Sequence, residues 1–257
     1  MKRFCLFIGY PRSGSTVSGR MLDMHPLIGI AHQVNALNYE DKDMLFNALL
    51  GRMYSTETLD GIDVIGTKSG HQTMKHLLRN PDYSLDKFKA LIDMPLKIIH
   101  IVRNPFDNLS TWVNRAKEEH QRKGIDKPEI DILNAKIAHY YEVNQKIQEV
   151  IDTEDVFTFR LDRLIKKPGK TVKAIYEFLE VPFNGEIVTQ AKSMIYEKQR
   201  ITRESISWND DTVKDVMKII DEFDFLKGYK FELSEKLKNE LKDQEMNQRL
   251  AQNLARR

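Results

Sequence analysis

Gly9-Tyr10-Pro11-Arg12-Ser13-Gly14-Ser15-Thr16 places two glycines five positions apart and then two hydroxyls, the outline of a loop whose backbone N–H groups cradle phosphate. The usual form of that loop carries a lysine after its second glycine, to reach the β- and γ-phosphates of a nucleotide. Here Ser15 holds that position, and the cation inside the loop is Arg12. Such a loop is expected to bind a phosphate-like group without handling ATP in the ordinary way. A second constellation, Arg103-Asn104-Pro105-Phe106-Asp107-Asn108-Leu109-Ser110-Thr111, puts a guanidinium where a nucleotide hydrolase often has the aspartate that helps hold Mg²⁺. Guanidinium forks match phosphate oxygens in bidentate fashion, and a hydroxyl from Ser110 or Thr111 can add a hydrogen bond. The spacing leaves both open and slightly favours Ser110.

The elements around these residues suit anion binding. Arg3–Ile8 is a short, β-favouring apolar run that reads as a buried strand, and Ser15–Met24 reads as a helix. A strand turning through glycines into a helix aims unpaired N–H groups and the positive dipole end at one point. Leu96–Val102 is another buried strand. Asn104 can cap the helix that follows, and Pro105 suits its first turn. Further strands are expected at Leu27–Ala31, Ile62–Thr67 and Asp155–Arg160. Helices are expected at Asp41–Tyr54, Asp86–Ile92, Pro128–Ile151, Pro168–Leu179 and Asp210–Phe223. This alternation specifies a parallel α/β sheet covered on both faces.

Composition fits one core. At 257 residues with 41% apolar content, the chain is near the upper size for a single domain. A net charge of +2 gives no electrostatic reason to expect nucleic acid or a membrane as partner. The single cysteine, Cys5, lies in the first strand, which suggests a buried thiol in a reducing, cytoplasmic setting. No apolar stretch reaches membrane-spanning length. A highly charged stretch from Ser234 to Arg257, with leucines near one face, reads as a helical tail after a domain ending near 231.

Taken together, the residues resemble the sulfotransferases that use 3′-phosphoadenosine 5′-phosphosulfate (PAPS). Tyr10–Thr16 is similar to that family's 5′-phosphosulfate loop and Arg103–Thr111 to its 3′-phosphate motif. Phe159–Leu164 with Lys166-Lys167-Pro168 is similar to a weaker signature that closes the core. The resemblance spans residues 3 to 231 and implies a P-loop-type three-layer fold with a central, mostly parallel sheet. It implies that Arg12 and the Ser13, Gly14, Ser15 and Thr16 amides hold the phosphosulfate, and that Arg103 with Ser110 or Thr111 holds the 3′-phosphate. It also implies that Arg200 and Arg203, from the basic segment Lys198–Arg203, reach back over the donor.

Sulfuryl transfer involves less charge than phosphoryl transfer, so positioned cations and amides suffice and no metal is expected. The attacking hydroxyl or amine must lose a proton to a base. His32, at the end of the second strand, is the first choice, and the family places a carboxylate base in a comparable segment. Lys68 resembles a lysine that stabilises the leaving group, and His71, three residues on, is a second base candidate. The resemblance implies a small-molecule or carbohydrate acceptor and PAP (3′-phosphoadenosine 5′-phosphate) as product. Acceptor recognition normally comes from loops, so the segments 33–40, 69–85 and 115–130 are expected to carry it, and the leucine spacing of the tail leaves room for a homo-oligomer through it. Two other readings compete: a P-loop nucleotide kinase with a displaced cation, and a catalytically degenerate nucleotide-binding scaffold.

Overall fold

The structure is a computed structural model and describes residues 1–53, 58–192 and 200–234. Its elements in chain order are β1 (Arg3–Ile8), α1 (Ser15–Asp23), β2 (Ile28–Ala31), α2 (Lys42–Leu50), β3 (Val64–Thr67), α3 (Gly70–Arg79), α4 (Leu85–Ile92), β4 (Leu96–Val102), α5 (Pro105–Arg122), α6 (Glu129–Thr153), β5 (Val156–Arg160), α7 (Leu161–Lys166), α8 (Pro168–Phe178), α9 (Gly185–Lys192) and α10 (Asp210–Glu222). The strands form a five-stranded sheet in the order β2-β3-β1-β4-β5, and every pairing is parallel. The expected α/β three-layer architecture is what the chain adopts.

Strand β1 lies at the centre and explains why its sequence is apolar throughout. Phe4, Leu6 and Ile8 enter one core, shared with buried residues of α4, α5, α6 and α10. Cys5 and Phe7 enter the other, with Met21 and Leu22 of α1 and Tyr176 of α8. The alternation follows the two-residue period of a strand, and a strand covered on both faces needs apolar residues at every position. Close approach is also built in. A Cβ on Gly66 would lie 2.1 Å from the Cys5 carbonyl oxygen, so β1 and β3 can pair only with glycine there.

Because all strands are parallel, their carboxyl ends share one edge. Gly9, His32, Lys68, Arg103 and Leu161 each follow a strand end there. Ligands bind outside this edge in open α/β sheets. Helix termini support the arrangement: Asn104 accepts a hydrogen bond from the Phe106 N–H at 3.0 Å, and Pro105 takes the first turn of α5.

Three expectations need correction. The segment 69–85, read as an acceptor loop, is largely α3; its polar face hid a helix whose Thr73, Met74 and Leu77 are buried. Likewise 115–130 is mostly the end of α5 and the start of α6, leaving a short connection around Gly124. Helix α2 stops at Leu50, where Gly51 closes it, rather than continuing to Tyr54. Helices α7 and α9 were not foreseen. The expected tail helix falls outside the described residues beyond Ser234.

Candidate functional site

The loop between β1 and α1 is shaped by backbone that side chains rarely tolerate. Gly9 has φ 139° and Gly14 φ 105°, and Arg12, unusually for a residue with a Cβ, sits at φ 69°. Helix α1 begins directly after Gly14 with no side-chain cap and no acidic residue in its first turn. Leu161, the first residue of α7 just after β5, fills the space over Gly14; a Cβ there would lie 2.7 Å from Leu161 Cδ1. The stretch read as a core-closing signature therefore packs against the loop. Arg160 beside it pairs with Asp162 at 3.1 Å and lies 3.6 Å over the Tyr229 ring.

Arg103 is 8% exposed at the head of β4. Its guanidinium donates to the Arg12 carbonyl (3.2 Å), Thr111 Oγ1 (3.2 Å), the Arg200 carbonyl (3.3 Å) and Thr202 Oγ1 (3.1 Å), all uncharged oxygens. Burial above all lowers its pKa; Asp107 nearby opposes this, while Arg12 and Arg203 add to it. Asp107, fully buried on the first turn of α5, is committed elsewhere. Its Oδ1 accepts from the Thr202 N–H at 2.8 Å and the Arg203 N–H at 3.0 Å, and Arg203 Nε stands 3.5 Å away. A buried guanidinium whose hydrogen bonds all go to neutral oxygens, with Arg12 and Arg203 also near, fits a doubly charged phosphate. The residues present therefore suit the donor implied by the resemblance.

Asn108 ties the two anion sites together. With its amide nitrogen turned to the loop, it donates to the carbonyls of Pro11 (3.0 Å) and Arg12 (3.2 Å). The Arg12 carbonyl thus has both Arg103 and Asn108 as donors, which helps hold the loop in its left-handed conformation.

The two candidate hydroxyls lie in different places. Ser110 is fully buried and donates to the Phe106 carbonyl at 2.6 Å, one turn back along α5. Thr111 is the hydroxyl beside Arg103. It also donates to the Asp107 carbonyl at 2.8 Å and lies 3.0 Å from Thr202 Oγ1. Arg200 is exposed and reaches Arg103 through its main chain, whereas the Arg203 side chain faces Asp107 and the Lys230 carbonyl. Sequence reasoning missed Thr202, Asp107 and Asn108.

On the other side of the loop, Lys68 donates to Thr16 Oγ1 at 2.9 Å. Gly19 makes this possible, since a Cβ there would lie 2.8 Å from Lys68 Cβ. Burial first, and Arg20 second, lower the Lys68 pKa. His32, after β2, is 8% exposed; burial, Lys68 and Arg20 bring its pKa down to about 4, so the ring is neutral at ordinary pH. His32 and Lys68 therefore share one neighbourhood. His71, on the first turn of α3, has its ring 6.4 Å from that of Trp112.

Comparisons with known proteins bear on the family and the fold. A family profile described as "Sulfotransferase domain" matches residues 3–252. The omega-hydroxy-beta-dihydromenaquinone-9 sulfotransferases Stf3 of Mycobacterium bovis and Mycobacterium tuberculosis are 27% identical to the chain over 109 residues, which is 40% of this chain. That match spans only 28% of those relatives' own length. Among solved structures, the sulfotransferase STF9 from Mycobacterium avium superposes with a TM-score of 0.54 at 13% identity, covering 87% of this chain and 77% of that one. Mouse sulfotransferase SULT7A1 complexed with PAP gives 0.56 at 13% identity, covering 90% of each chain. At such identities these structures speak to the fold alone.

Proposed function

This chain belongs to the sulfotransferase domain family, and from that premise we propose that it transfers a sulfuryl group from PAPS to a hydroxyl or amine of a small acceptor, releasing PAP. The observation that carries this reading is the pair of basic sites at the carboxyl edge, Arg12 in the β1–α1 loop and Arg103 at the head of β4, joined through the Arg12 carbonyl. Two separate basic sites at one sheet edge support a donor that carries two phosphate groups.

Bound PAPS supplies an activated sulfuryl group whose S–O bond to the 5′-phosphate breaks as the bond to the acceptor forms. The residues of this chain position and stabilise that exchange. The Ser13–Thr16 amides and Arg12 hold the 5′ end, and Lys68, already hydrogen-bonded to Thr16 Oγ1, donates to the oxygen that gains charge as PAP leaves. Arg103, Thr111 and Thr202 hold the 3′-phosphate, with Arg200 and Arg203 alongside. His32, neutral because its pKa lies near 4, accepts the proton lost by the acceptor. A low pKa makes it a modest base, so orientation carries much of its contribution.

The kinase alternative requires a carboxylate free to hold Mg²⁺ near the loop. The strand-end position has Arg103 instead, and Asp107, whose Oδ1 accepts from the Thr202 and Arg203 N–H groups, is fully buried beside the Arg103 and Arg203 guanidinium groups, a cationic setting that disfavours Mg²⁺. The scaffold alternative gives no reason for a buried lysine on the loop hydroxyl.

Transfer of label from sulfur-labelled PAPS to a panel of alcohols, phenols, sugars and amines tests the reading. Label moving to one acceptor class supports it. Phosphoryl transfer from ATP, with no label moved from PAPS, would replace it by the kinase reading.

A further inference from the structure

Beside the loop lies a group of basic side chains that the donor does not use. Trp112, on the turn of α5 after Thr111, is flanked by three of them. Lys136 of α6 holds its ammonium 3.7 Å from the Trp112 ring centroid, the His139 ring is 5.2 Å away, and the His71 ring approaches edge-on at 6.4 Å. Tyr10, from the phosphate loop itself, packs against the Trp112 ring at 4.8 Å. Its hydroxyl reaches the Lys136 carbonyl at 3.4 Å. Helix α3 starts close to the end of β1, with the Gly70 Cβ position 3.0 Å from the Ile8 carbonyl carbon, so His71 stands next to the loop as well. The cluster thus borders the place where an acceptor must approach the 5′ end of the donor.

We propose that the acceptor carries an anionic group, a carboxylate, sulfate or phosphate, and that Lys136, His71 and His139 around Trp112 form the subsite that receives it. This rests on the sulfotransferase reading above and deepens it by naming the acceptor's chemistry.

The charge balance around the ring supports the assignment. Lys136 makes no carboxylate ion pair among the described residues; its close partner is the Trp112 face, and Glu119 favours its charge only from a distance. His139 has Glu142 at 3.4 Å, a largely exposed carboxylate. His71 faces burial first and then the positive charges of Lys75, His139 and Lys136, all of which lower its pKa. Lys127 adds to the same field at Lys136. Lys136 is the standing cation on this ring, and an anion entering beside it gains a charge-assisted hydrogen bond from the ammonium together with N–H donors of the two imidazole rings. His71, expected from sequence as an alternative base, takes the role of an acceptor ligand.

The test uses the full chain saturated with PAP and follows the Cε1–H resonances of His71 and His139 by NMR. The probes are phenylacetate, phenyl sulfate and phenyl phosphate, with neutral phenylacetamide as control. Saturable shifts of both histidines are expected from at least one anion, at least ten-fold tighter than from the amide, with the three anions separating carboxylate from sulfate and phosphate recognition. Lys136→Gln should remove that preference and leave PAP affinity unchanged, while Lys127→Gln should reduce it by less than three-fold. No saturable anion binding, equal binding of phenylacetamide, or an intact preference in Lys136→Gln overturns the proposal. Failure of PAP to bind the same sample counts against the donor reading instead, and the anion titration is then read on the protein alone.

Discussion

Replacing Thr111 by valine keeps the shape of the side chain and removes only its hydroxyl, which separates it cleanly from its neighbour Ser110. Thr111 Oγ1 accepts from Arg103 at 3.2 Å and donates to the Asp107 carbonyl at 2.8 Å. If the hydroxyl turns to a 3′-phosphate oxygen, it makes a hydrogen bond to a charged acceptor, worth roughly 1.5–3 kcal/mol. It gives up its bond within the helix to do so, which places the net loss in the variant near the lower figure, about 1.5 kcal/mol. That corresponds to roughly ten-fold weaker PAP binding. Ser110→Ala is the control. Its hydroxyl is fully buried and bonded to the Phe106 carbonyl, and removing it leaves that carbonyl its ordinary helical partner, so PAP affinity should change less than two-fold and the fold should lose at most about 1 kcal/mol. Isothermal titration of both variants with PAP, alongside urea unfolding, reads the two quantities separately. Unchanged PAP affinity in Thr111→Val, or an equal loss in Ser110→Ala, would refute this placement of the second phosphate.

His32→Ala should lower kcat by about 10²-fold or more while leaving PAP affinity within two-fold, as removal of a general base does; a wild-type rate would move the role to another group. Stability should fall as the solution is acidified from pH 7 to 5. His100 is fully buried with its pKa brought down to about 3 by burial, so the native state keeps it neutral while the unfolded chain takes up a proton below about pH 6.5. Its contribution is present above the unfolded value and is lost as pH falls toward 3, about 2 kcal/mol of it between pH 7 and 5. His100→Gln should show a smaller decline in urea unfolding over that interval, and an identical decline would contradict the assignment. Gly66→Ala should abolish cooperative unfolding by circular dichroism, because its Cβ would lie 2.1 Å from the Cys5 carbonyl oxygen between two central strands; a cooperative transition within about 1 kcal/mol of wild type would show that the sheet can shift.

The central strands were legible because a strand covered on both faces is apolar nearly throughout, as Phe4–Ile8 is and as Ile98–Val102 is apart from the buried His100. The two anion motifs were legible because glycine, proline and arginine have strong local meanings at a strand-to-helix turn. Helix α3 was not, since its first residues, Gly70-His71-Gln72, are polar or flexible and its apolar residues are few. The choice between Ser110 and Thr111 depends on a helical rotation of about 100°, which spacing alone does not resolve. Thr202 and Arg203 meet Asp107 across 95 and 96 positions of sequence, and no local pattern announces such a contact. The same holds for Trp112, which reads as an ordinary helix residue until α3 and α6 bring His71, His139 and Lys136 around it.

The account rests on recognition of a donor with phosphates at its 5′ and 3′ ends. Thermal unfolding in the presence of EDTA measures it directly, with PAP in one sample and, in a parallel sample without chelator, ATP and Mg²⁺. A ligand at 100 times its dissociation constant adds about 2.7 kcal/mol, which for a domain of this size raises Tm by roughly 5–10 °C. A rise of that size with PAP and none with ATP and Mg²⁺ is the predicted result. A rise with ATP and Mg²⁺ and none with PAP would contradict the account.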